Sequence, residues 1–482
     1  MTETTGACAI TSLSALELSR AIHARRLSCH EVMAAFLDRI EAVNPAFCAI
    51  VSVQPREVLM KAALRADARL ARGVSDGWLH GIPQAPKDLA ATCDIPTTMG
   101  FSGLKAHRPP RDAFVVQRAR EAGAILIGKT NTPEFGLGSH TYNDVFGTTL
   151  NAYDRRFSAG GSSGGAAVAL AMRLLPVADG SDMMGSLRNP AGWNNVYGFR
   201  PSMGRVPGGP GPEGFLSQLG TEGPMARDMA DLAMLLATQA GRDPRVPLSL
   251  AGDGSGFAPP LGRDPAGLRI GWLSDLGGHL PMQPGVIETC ESALRIFEGM
   301  GCHVAPARTR FDLDALWRAW CVLRQFQITG TLAPIRANPR LRDMLKPEMQ
   351  WEIEHGLTLR AEAVFDASVI RTAWYHEMLR LFDEHDFLAL PTAQLFPFDA
   401  TQHWPREIAG RVMDSYHRWM EVVIPATLAG APALAVPAGF GPSGLPMGLQ
   451  IIGRPQADRA VLELGHAYDL AQEFTARLPP GV

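Results

Sequence analysis

The segment GGSSGGAAVALAM, residues 160–172, joins a loop of glycines and serines to a strongly apolar stretch. Residues 166–172 are too apolar to face water, and they predict a buried helix. Tracts of glycine and serine often form flexible linkers, which is the alternative interpretation. A loop that runs directly into a buried helix is held at that end, so we interpret residues 160–165 as an ordered, candidate functional loop.

A second glycine-flanked serine lies in the segment DMMGSLR, residues 182–188. Serine needs an adjacent base to become nucleophilic, and Lys87 lies upstream in a segment whose prolines and apolar residues favour burial. A buried lysine loses proton affinity and can act as a base. Ser162, Ser186 and Lys87 therefore form a set that can cleave an amide without histidine. The alternatives are a turn or capping role for Ser186 and a surface position for Lys87.

From about residue 80, short apolar runs alternate with helix-like segments. Strands are predicted over 124–127, 174–178 and 433–436, a helix over 113–122, and a strand–helix–strand unit over 268–304. Alternation of this kind predicts an α/β fold in which helices cover both faces of a sheet.

The remaining segments complete a single domain that spans residues 1–482. Capping boxes at Ser14 and Ser28 predict a pair of N-terminal helices. Residues 203–223 are rich in glycine and proline and predict a long surface loop. Residues 311–420 hold six of the nine tryptophans and favour helices. We expect this segment to form the wall or lid of a substrate pocket, with a tryptophan-filled helical core as the alternative.

The bulk composition excludes several classes of partner. The chain has 482 residues, of which 46% are hydrophobic, and a net charge of −3 from 45 basic and 48 acidic residues. The charges are mixed, without the basic stripe that binds nucleic acid. No apolar run approaches the roughly 20 residues of a membrane span, and the N-terminus does not follow the signal-peptide pattern. We therefore expect a small-molecule substrate, and neither a nucleic-acid nor a membrane partner.

The cysteines and histidines indicate the compartment and the absence of a cofactor. The seven cysteines are odd in number and include no C-x-x-C pair, which favours reduced thiols in the cytoplasm over a disulfide framework. The thirteen histidines show no metal-binding spacing. We expect no metal and no other cofactor, and either a monomer or a homodimer.

The segment GAILIGKT, residues 123–130, fits the phosphate-binding pattern G-x-x-x-x-G-K-[ST]. The pattern raises a nucleotide hydrolase as an alternative function. The four residues after Gly123 should then form an exposed loop whose N–H groups cradle phosphate, but Ala-Ile-Leu-Ile favours a buried strand. Pro133 also follows closely on Lys129 and Thr130, where a helix should begin. We therefore disfavour nucleotide binding.

Several segments together resemble the amidase signature family. They are GIP at residues 81–83 with Lys87-Asp88, GKTNTPEFG at 128–136, GGSSGG at 160–165, residues 182–190, GPMAR at 223–227 and GLPMGLQ at 444–450. The resemblance covers roughly residues 10–475, with a signature core at about 75–230. It implies one large domain with a central, mixed, twisted β-sheet flanked by helices on both faces.

The resemblance also implies roles for individual residues. Ser186 matches the nucleophile, Ser162 matches a bridging serine that follows a cis peptide bond, and Lys87 matches the base. Ser163 matches a hydrogen-bonding support of the lysine. Neutral Lys87 would take a proton from Ser162 while Ser162 takes one from Ser186, and no cofactor would be needed.

The loop that carries the nucleophile would also stabilise the oxyanion. The resemblance assigns this task to successive backbone N–H groups, those of Met183, Met184, Gly185 and Ser186, with Asp182 and Arg188 in support. The family's usual Asp-Thr-Gly-Gly-Ser is Asp-Met-Met-Gly-Ser in this chain. Met184 replaces a glycine, so a positive φ would be costly there. Two polarizable methionines would suit bulky apolar substrates.

We therefore predict a serine amidase that hydrolyses the C–N bond of a small, largely apolar amide or carbamate. Within the family, the chain resembles a bacterial branch that acts on aryl amides and carbamates, or urethanes. The alternative within the same family is the glutamine-hydrolysing subunit of a transfer-RNA amidotransferase complex. The departure at Met183-Met184 argues against that alternative.

Overall fold

The computed structural model describes residues 9–482 of the chain. At its centre is a sheet with the strands β1 (Val177–Asp182), β2 (Tyr197–Arg200), β3 (Thr221–Ala226), β4 (Arg269–Trp272), β5 (His303–Pro306), β6 (Phe387–Pro391), β7 (Ala433–Phe440) and β8 (Pro446–Gly453). Their order in space is β5-β4-β6-β8-β7-β2-β3-β1. Strand β4 pairs in parallel with β5 and β6, whereas the other neighbours pair antiparallel. The sheet is therefore mixed, as predicted.

Helices surround this sheet. The main ones are α1 (Ala15–His23), α2 (Cys29–Val43), α3 (Arg56–Ala71), α4 (Phe114–Glu121), α5 (Gly164–Ala171), α6 (Arg188–Trp193), α7 (Met229–Gln239), α8 (Val286–Gly299), α9 (Leu313–Thr331), α10 (Ala333–Arg336), α11 (Pro339–Arg342), α12 (Pro347–Leu357), α13 (Ala361–Glu384), α14 (Ile424–Leu428) and α15 (Asp458–Ala471). Every residue of β6 and β8 is buried. Because successive strand residues point to opposite faces, both faces are covered, which confirms the predicted fold class.

Short strands form separate pairs outside the main sheet. Each has two residues, and the pairs are Ile50–Val51 with Lys129–Thr130, Pro83–Gln84 with Ile125–Leu126, Tyr142–Asn143 with Gly147–Thr148, and Glu407–Ile408 with Arg411–Val412. The strand predicted over 124–127 is therefore real but short, and it lies outside the main sheet.

Two predicted boundaries are wrong. The strand predicted over 174–178 begins only at Val177, because Arg173 adopts a left-handed conformation with φ 57° and turns the chain after α5. Strand β6 lies inside the segment 311–420, for which the sequence favoured helices. Its residues, Phe-Leu-Ala-Leu-Pro, are all apolar, and a continuous apolar run carries no period that separates a buried strand from a buried helix.

The tryptophan-rich segment 311–420 contributes to the hydrophobic core as well as to the wall of the pocket described below. Trp320 and Trp374 have no exposed surface, and Trp419 is 1% exposed. Trp419 stacks on Trp193 of α6 with ring centroids 5.7 Å apart.

Within residues 9–482, no helix combines the length and the apolar character needed to cross a bilayer.

The first two long helices are held at their N-termini by the predicted capping boxes and by distant carboxylates. In α2 the Glu31 N–H donates to Ser28 Oγ, and the Ser28 N–H donates to the Glu31 carboxylate. The N–H groups of Cys29 and His30 donate to Asp67 of α3. Helix α1 repeats the arrangement with Ser14, Glu17 and Asp231 of α7. The capping boxes were readable from the sequence, whereas the distant aspartates were not.

We expect Ser28→Ala to lower the free energy of unfolding by about 1 kcal/mol, because the Glu31 N–H loses its acceptor. Denaturant titration followed by circular dichroism measures the change, with the exposed Ser102 as a matched Ser→Ala control. Equal midpoints for the two variants would contradict the role of the cap.

Candidate active site

A cavity of about 270 Å³ lies beside the end of strand β1. Ser162 and Ser186 line it, together with Ser181 and Asp182 of β1. The rest of the lining is mainly apolar and includes Leu89, Met99, Phe135, Met184, Ile328 and Met420. Ser162 and Ser186, the two serines identified in the sequence, therefore line the same cavity.

Lys87 lies directly behind this cavity and is 1% exposed. Its Nζ lies 2.8 Å from Ser162 Oγ, 2.9 Å from Ser163 Oγ and 3.1 Å from Ser181 Oγ. A fourth contact, at 3.4 Å, joins Nζ to the Ser181 carbonyl oxygen. The amine is therefore surrounded by hydroxyl groups, and the alternative of a surface lysine is wrong.

Burial lowers the pKa of Lys87 to about 7. The carboxylates of Asp179, Asp182 and Glu222 act in the opposite direction, since negative charge favours the protonated amine. A large fraction of Lys87 is therefore neutral near pH 7, and a neutral amine has the lone pair that a base requires.

Ser162 and Ser163 lie at the end of an ordered loop. The peptide bond between Gly161 and Ser162 is cis, and both serines are buried. Helix α5 begins at once after them and packs so closely that a Cβ on Gly165 would lie 2.3 Å from the Asn131 nitrogen. The loop is therefore fixed by packing, and the linker interpretation is wrong.

Ser186 also lines the cavity and is 6% exposed. Its carbonyl oxygen accepts a hydrogen bond from the Ser163 N–H at 3.2 Å, which ties the two serine loops together. In the described part of the chain, no hydrogen bond joins the hydroxyls of Ser162 and Ser186. Catalytic hydrogen bonds are often long in ligand-free sites and tighten when substrate binds.

The loop that carries Ser186 is organised by the buried carboxylate of Asp182. Its oxygens accept from the N–H groups of Gly185 and Leu187 at 2.9 and 3.2 Å, and from Arg188 at 3.0 Å through each of two nitrogens. Burial alone would raise the pKa of Asp182, but Arg188 and Arg200 outweigh it and hold that pKa well below its usual range. The predicted supports Asp182 and Arg188 thus lie together as a buried ion pair.

The loop of residues 182–186 has an ordinary backbone conformation at Met184, the methionine that replaces the family's glycine. The described non-glycine residues with positive φ do not include Met184, whereas Gly185 has φ 78°. A Cβ on Gly185 would also lie 2.9 Å from Val423, so glycine is required there on two counts. The Gly185 N–H donates to Asp182 at 2.9 Å. Of the four N–H groups that we expect to bind an oxyanion, this one is therefore already engaged, whereas those of Met183, Met184 and Ser186 stay candidates for that role.

Sequence reasoning missed two polar residues of strand β1. Ser181 contacts Lys87 as described, and Asp179 accepts a hydrogen bond from the Lys87 N–H at 3.1 Å. Both lie on the same face of the strand, two positions apart. The signal available in the sequence was the pair of polar residues at alternate positions, Asp179 and Ser181, in the strand that leads to Asp182.

The segment 311–420 supplies the far wall of the cavity, although its tryptophans do not line it. Helix α9 contributes Arg324, Gln327 and Ile328, and α12 contributes Met349. The Arg324 guanidinium is paired with Glu352 at 2.6 Å. The part of the cavity wall that this segment supplies therefore consists of aliphatic, methionine and polar side chains, and none of its tryptophans lines the cavity.

Lys129 of the phosphate-like motif faces the protein interior. Its Nζ contacts the Ala90 carbonyl oxygen and Thr92 Oγ1, the latter at 3.2 Å, and the residue has no exposed surface. Ile125–Leu126 forms a strand, so the motif has no exposed phosphate loop.

One surface cluster has the composition of a metal site. Ligand atoms of Cys93, Asp94 and Asp112 lie within 4.8 Å of one another. Arg120 already pairs with Asp94 at 2.5 Å and with Asp112 at 2.9 Å, so a cation of the protein itself neutralises the carboxylates. These residues do not line the cavity.

Comparison with known proteins identifies the family. A sequence model described as Amidase matches residues 31–462. A glutamyl-tRNA(Gln) amidotransferase subunit of Halorhodospira halophila is 33% identical over 487 aligned positions, covering 96% of this chain and 98% of that protein. Among solved structures, a bacterial aryl acylamidase described as an amidase signature enzyme has a TM-score of 0.90 at 29% identity, covering 96% and 97% of the two chains.

A peptide amidase solved with the competitive inhibitor chymostatin gives a TM-score of 0.80 at 28% identity, covering 97% of this chain and 98% of the other. Each of these matches spans nearly the whole of both chains, and together they support hydrolysis of an amide C–N bond. On this evidence the chain belongs to the amidase signature family.

Proposed function

We propose that this protein is a serine amidase that cleaves the C–N bond of a small, largely apolar amide or carbamate through an acyl-enzyme on Ser186. The observation that carries the proposal is the 2.8 Å contact between the buried Lys87 Nζ and Ser162 Oγ. Ser162 and Ser186 in turn line one cavity. A base, a bridging hydroxyl and a nucleophile are thus available within one site.

The proton moves in two linked steps. Neutral Lys87 accepts the Ser162 proton as Ser162 accepts the Ser186 proton, and Ser186 Oγ attacks the carbonyl carbon. The same path then returns a proton through Ser162 to the leaving nitrogen, and the C–N bond breaks. Water repeats the sequence on the acyl-enzyme and releases the acid. Ser163 and Ser181 hold the amine in position, because each hydroxyl contacts Nζ.

The oxyanion of each tetrahedral intermediate is stabilised by the N–H groups of Met183, Met184 and Ser186. These groups lie on a loop fixed by Asp182, so they require little reorganisation as charge develops. Loss of one donor of this kind costs about 100- to 1000-fold in rate. The two methionines are compatible with this task, since it depends on the backbone alone.

The cavity supports an apolar substrate. Its wall consists largely of methionine and aliphatic side chains, which adapt to varied apolar groups. Amides and carbamates pass through a similar oxyanion, so the same machinery serves both. The likeness to an aryl acylamidase supports an aryl amide as the first substrate to test. The six cysteines among residues 9–482 are free thiols, which supports a cytoplasmic location.

A glutamine-hydrolysing subunit of a transfer-RNA amidotransferase is the second candidate, favoured by the identity to the amidotransferase chain of Halorhodospira halophila. Free glutamine carries an ammonium and a carboxylate, and each needs a polar partner when it leaves water. The charged groups that line the cavity are Asp182 and Arg324, and both are already paired within the protein. The lining therefore favours the apolar amide.

We expect Ser186→Ala to lose at least about 10⁴-fold in kcat, because the attacking oxygen is removed. The measurement compares release of 4-nitroaniline from 4-nitroacetanilide and from the matching aryl carbamate by wild type and variant. Ser102→Ala, on the surface, is the control. A variant that retains wild-type turnover would remove Ser186 from the nucleophile role.

The pH dependence follows from the state of Lys87. Only the neutral amine accepts a proton, and its pKa is about 7. For a neutral anilide, we expect kcat/KM to fall about tenfold per pH unit below this value and to level off above it. Initial rates measured at a series of pH values between about 5 and 9 test this expectation. A kcat/KM that falls as the pH rises from 6 to 8 would contradict it.

The two candidate functions differ in their preferred substrate. We expect kcat/KM for 4-nitroacetanilide to exceed that for glutamine by at least about 100-fold, since buried charges without partners are strongly disfavoured. Ammonia release from glutamine, measured by a coupled assay on the same preparation, gives the comparison. Preference for glutamine would favour the amidotransferase function instead.

A further inference from the structure

A second cavity, of about 330 Å³, adjoins the first on the Lys87 side. The two share Ser181, Gly220 and Gln327 as a common wall. Its outer rim belongs to the exposed loop between β2 and β3, so it opens to water. Gly220 leaves the junction wide, because an added Cβ would meet only Met183, at 4.0 Å.

The charged side chains that line this cavity all have one sign. They are Glu213 and Glu222, and within the described chain no lysine, arginine or histidine lines it. The Glu213 carboxylate is engaged, since it accepts from the N–H groups of Phe215, Leu216 and Ser217. Glu222 differs, because among the described residues none donates a hydrogen bond to its carboxylate.

The position of Glu222 follows from the register of the sheet. Strands β1 and β3 are antiparallel, and Glu222 stands directly opposite Ser181. Directly opposed residues of an antiparallel pair project on the same face. Ser181 Oγ contacts Lys87 Nζ at 3.1 Å. The free carboxylate is therefore one side chain removed from the amine that relays the proton.

The proposed proton relay also determines whether the acyl group or the amine group of the substrate faces Glu222. Ser162 returns its proton to the leaving nitrogen, so that nitrogen lies on the side of Ser162 and Lys87. The group attached to the nitrogen then points toward Ser181 and the second cavity, while the acyl group occupies the apolar first cavity.

We infer that the second cavity is a leaving-amine subsite that selects a cationic group through Glu222. The substrate class is an amide or carbamate of a small acyl group whose leaving amine carries a second, protonated amine. The inference rests on the proposed function, because it assumes that Ser186 attacks from the shared site. A half-buried carboxylate without a partner is costly, and an ammonium group would supply the missing partner.

The charges around Glu222 predict a pH dependence of the substrate preference. Burial and, to a smaller extent, the buried Asp179 raise the pKa of Glu222 to about 8, although Lys87 and Lys129 act to lower it. Glu213 lines the same cavity from the exposed loop. The carboxylate is ionised above about pH 8, so the preference for a cationic amine should grow between pH 7 and 9. Because Lys87 acts on all substrates alike, a ratio of two substrates removes its contribution.

The test uses pairs of substrates that differ by an ammonium in place of a methyl group. N-(aminopentyl)benzamide and N-hexylbenzamide place the difference on the leaving amine, whereas aminohexananilide and heptananilide place it on the acyl group. We expect wild type at about pH 8.5 to prefer the cationic leaving amine by about tenfold in kcat/KM. Glu222→Gln should reduce this ratio to about one, and Glu298→Gln, on the exposed surface of α8, should not change it.

A wild-type ratio near one, a ratio that survives Glu222→Gln, or a preference confined to the acyl pair would each overturn the inference. Hydrolysis of both benzamides at equal rates would overturn it and leave the proposed function intact. Gly220→Leu gives a second variant, since the added side chain should narrow the junction and lower turnover of both N-alkyl benzamides relative to unsubstituted benzamide, whose leaving group is only ammonia.

Binding tests the subsite even if none of these amides is hydrolysed. We expect diaminopentane to bind Ser186→Ala about tenfold more tightly than hexylamine does, as measured by calorimetry, and the difference to vanish in Ser186→Ala/Glu222→Gln. Equal affinities for the two amines in Ser186→Ala would overturn the inference. Absence of amide hydrolysis together with selective diamine binding would count against the proposed function alone.

Discussion

The buried carboxylate of Asp182 is the constraint on which the site depends. A charge without exposed surface has to be compensated by the protein, and removing one partner of such a pair costs about 3–5 kcal/mol. Asp182 meets this requirement through Arg188, Arg200 and two N–H groups of its own loop. Arg188 continues to Val423 and Gln450. The loop that carries Ser186 is thereby tied to strand β2 through Arg200, to strand β8 through Gln450 and to the segment before α14 through Val423.

Lys87 has the opposite electrostatic environment from Asp182, although both are buried in the same region. Asp182 contacts guanidinium groups directly and keeps its charge. The contacts of Lys87 Nζ are hydroxyls and a carbonyl oxygen, which are dipoles and compensate a full charge only in part. Burial therefore prevails and lowers the pKa of the amine to about 7. The proposed chemistry depends on this difference: the fixed charge of Asp182 holds the loop in place, and the neutral fraction of Lys87 can accept a proton.

The sequence predicted the local features of the fold and failed on features that are made at a distance. The capping box at Ser28 is encoded within four residues, so its pattern was readable. Asp67 caps the same helix from a different one, and no local pattern reports that contact. Likewise Lys87 and Ser162 were identified from their own segments, whereas Asp179 was missed because its role depends on strand β1 passing behind the lysine.

In the proposed function, catalysis and selectivity belong to different parts of the site. Lys87, Ser162 and Ser186 are fixed by buried packing, where a change of one methylene group would disturb several neighbours. The walls of the two cavities come from other segments, helices α9 and α12 on one side and the exposed loop before β3 on the other. A substitution in these walls changes which acyl or amine group fits without moving the relay. The family resemblance therefore indicates the reaction, while the substrate has to be inferred from wall residues such as Glu222.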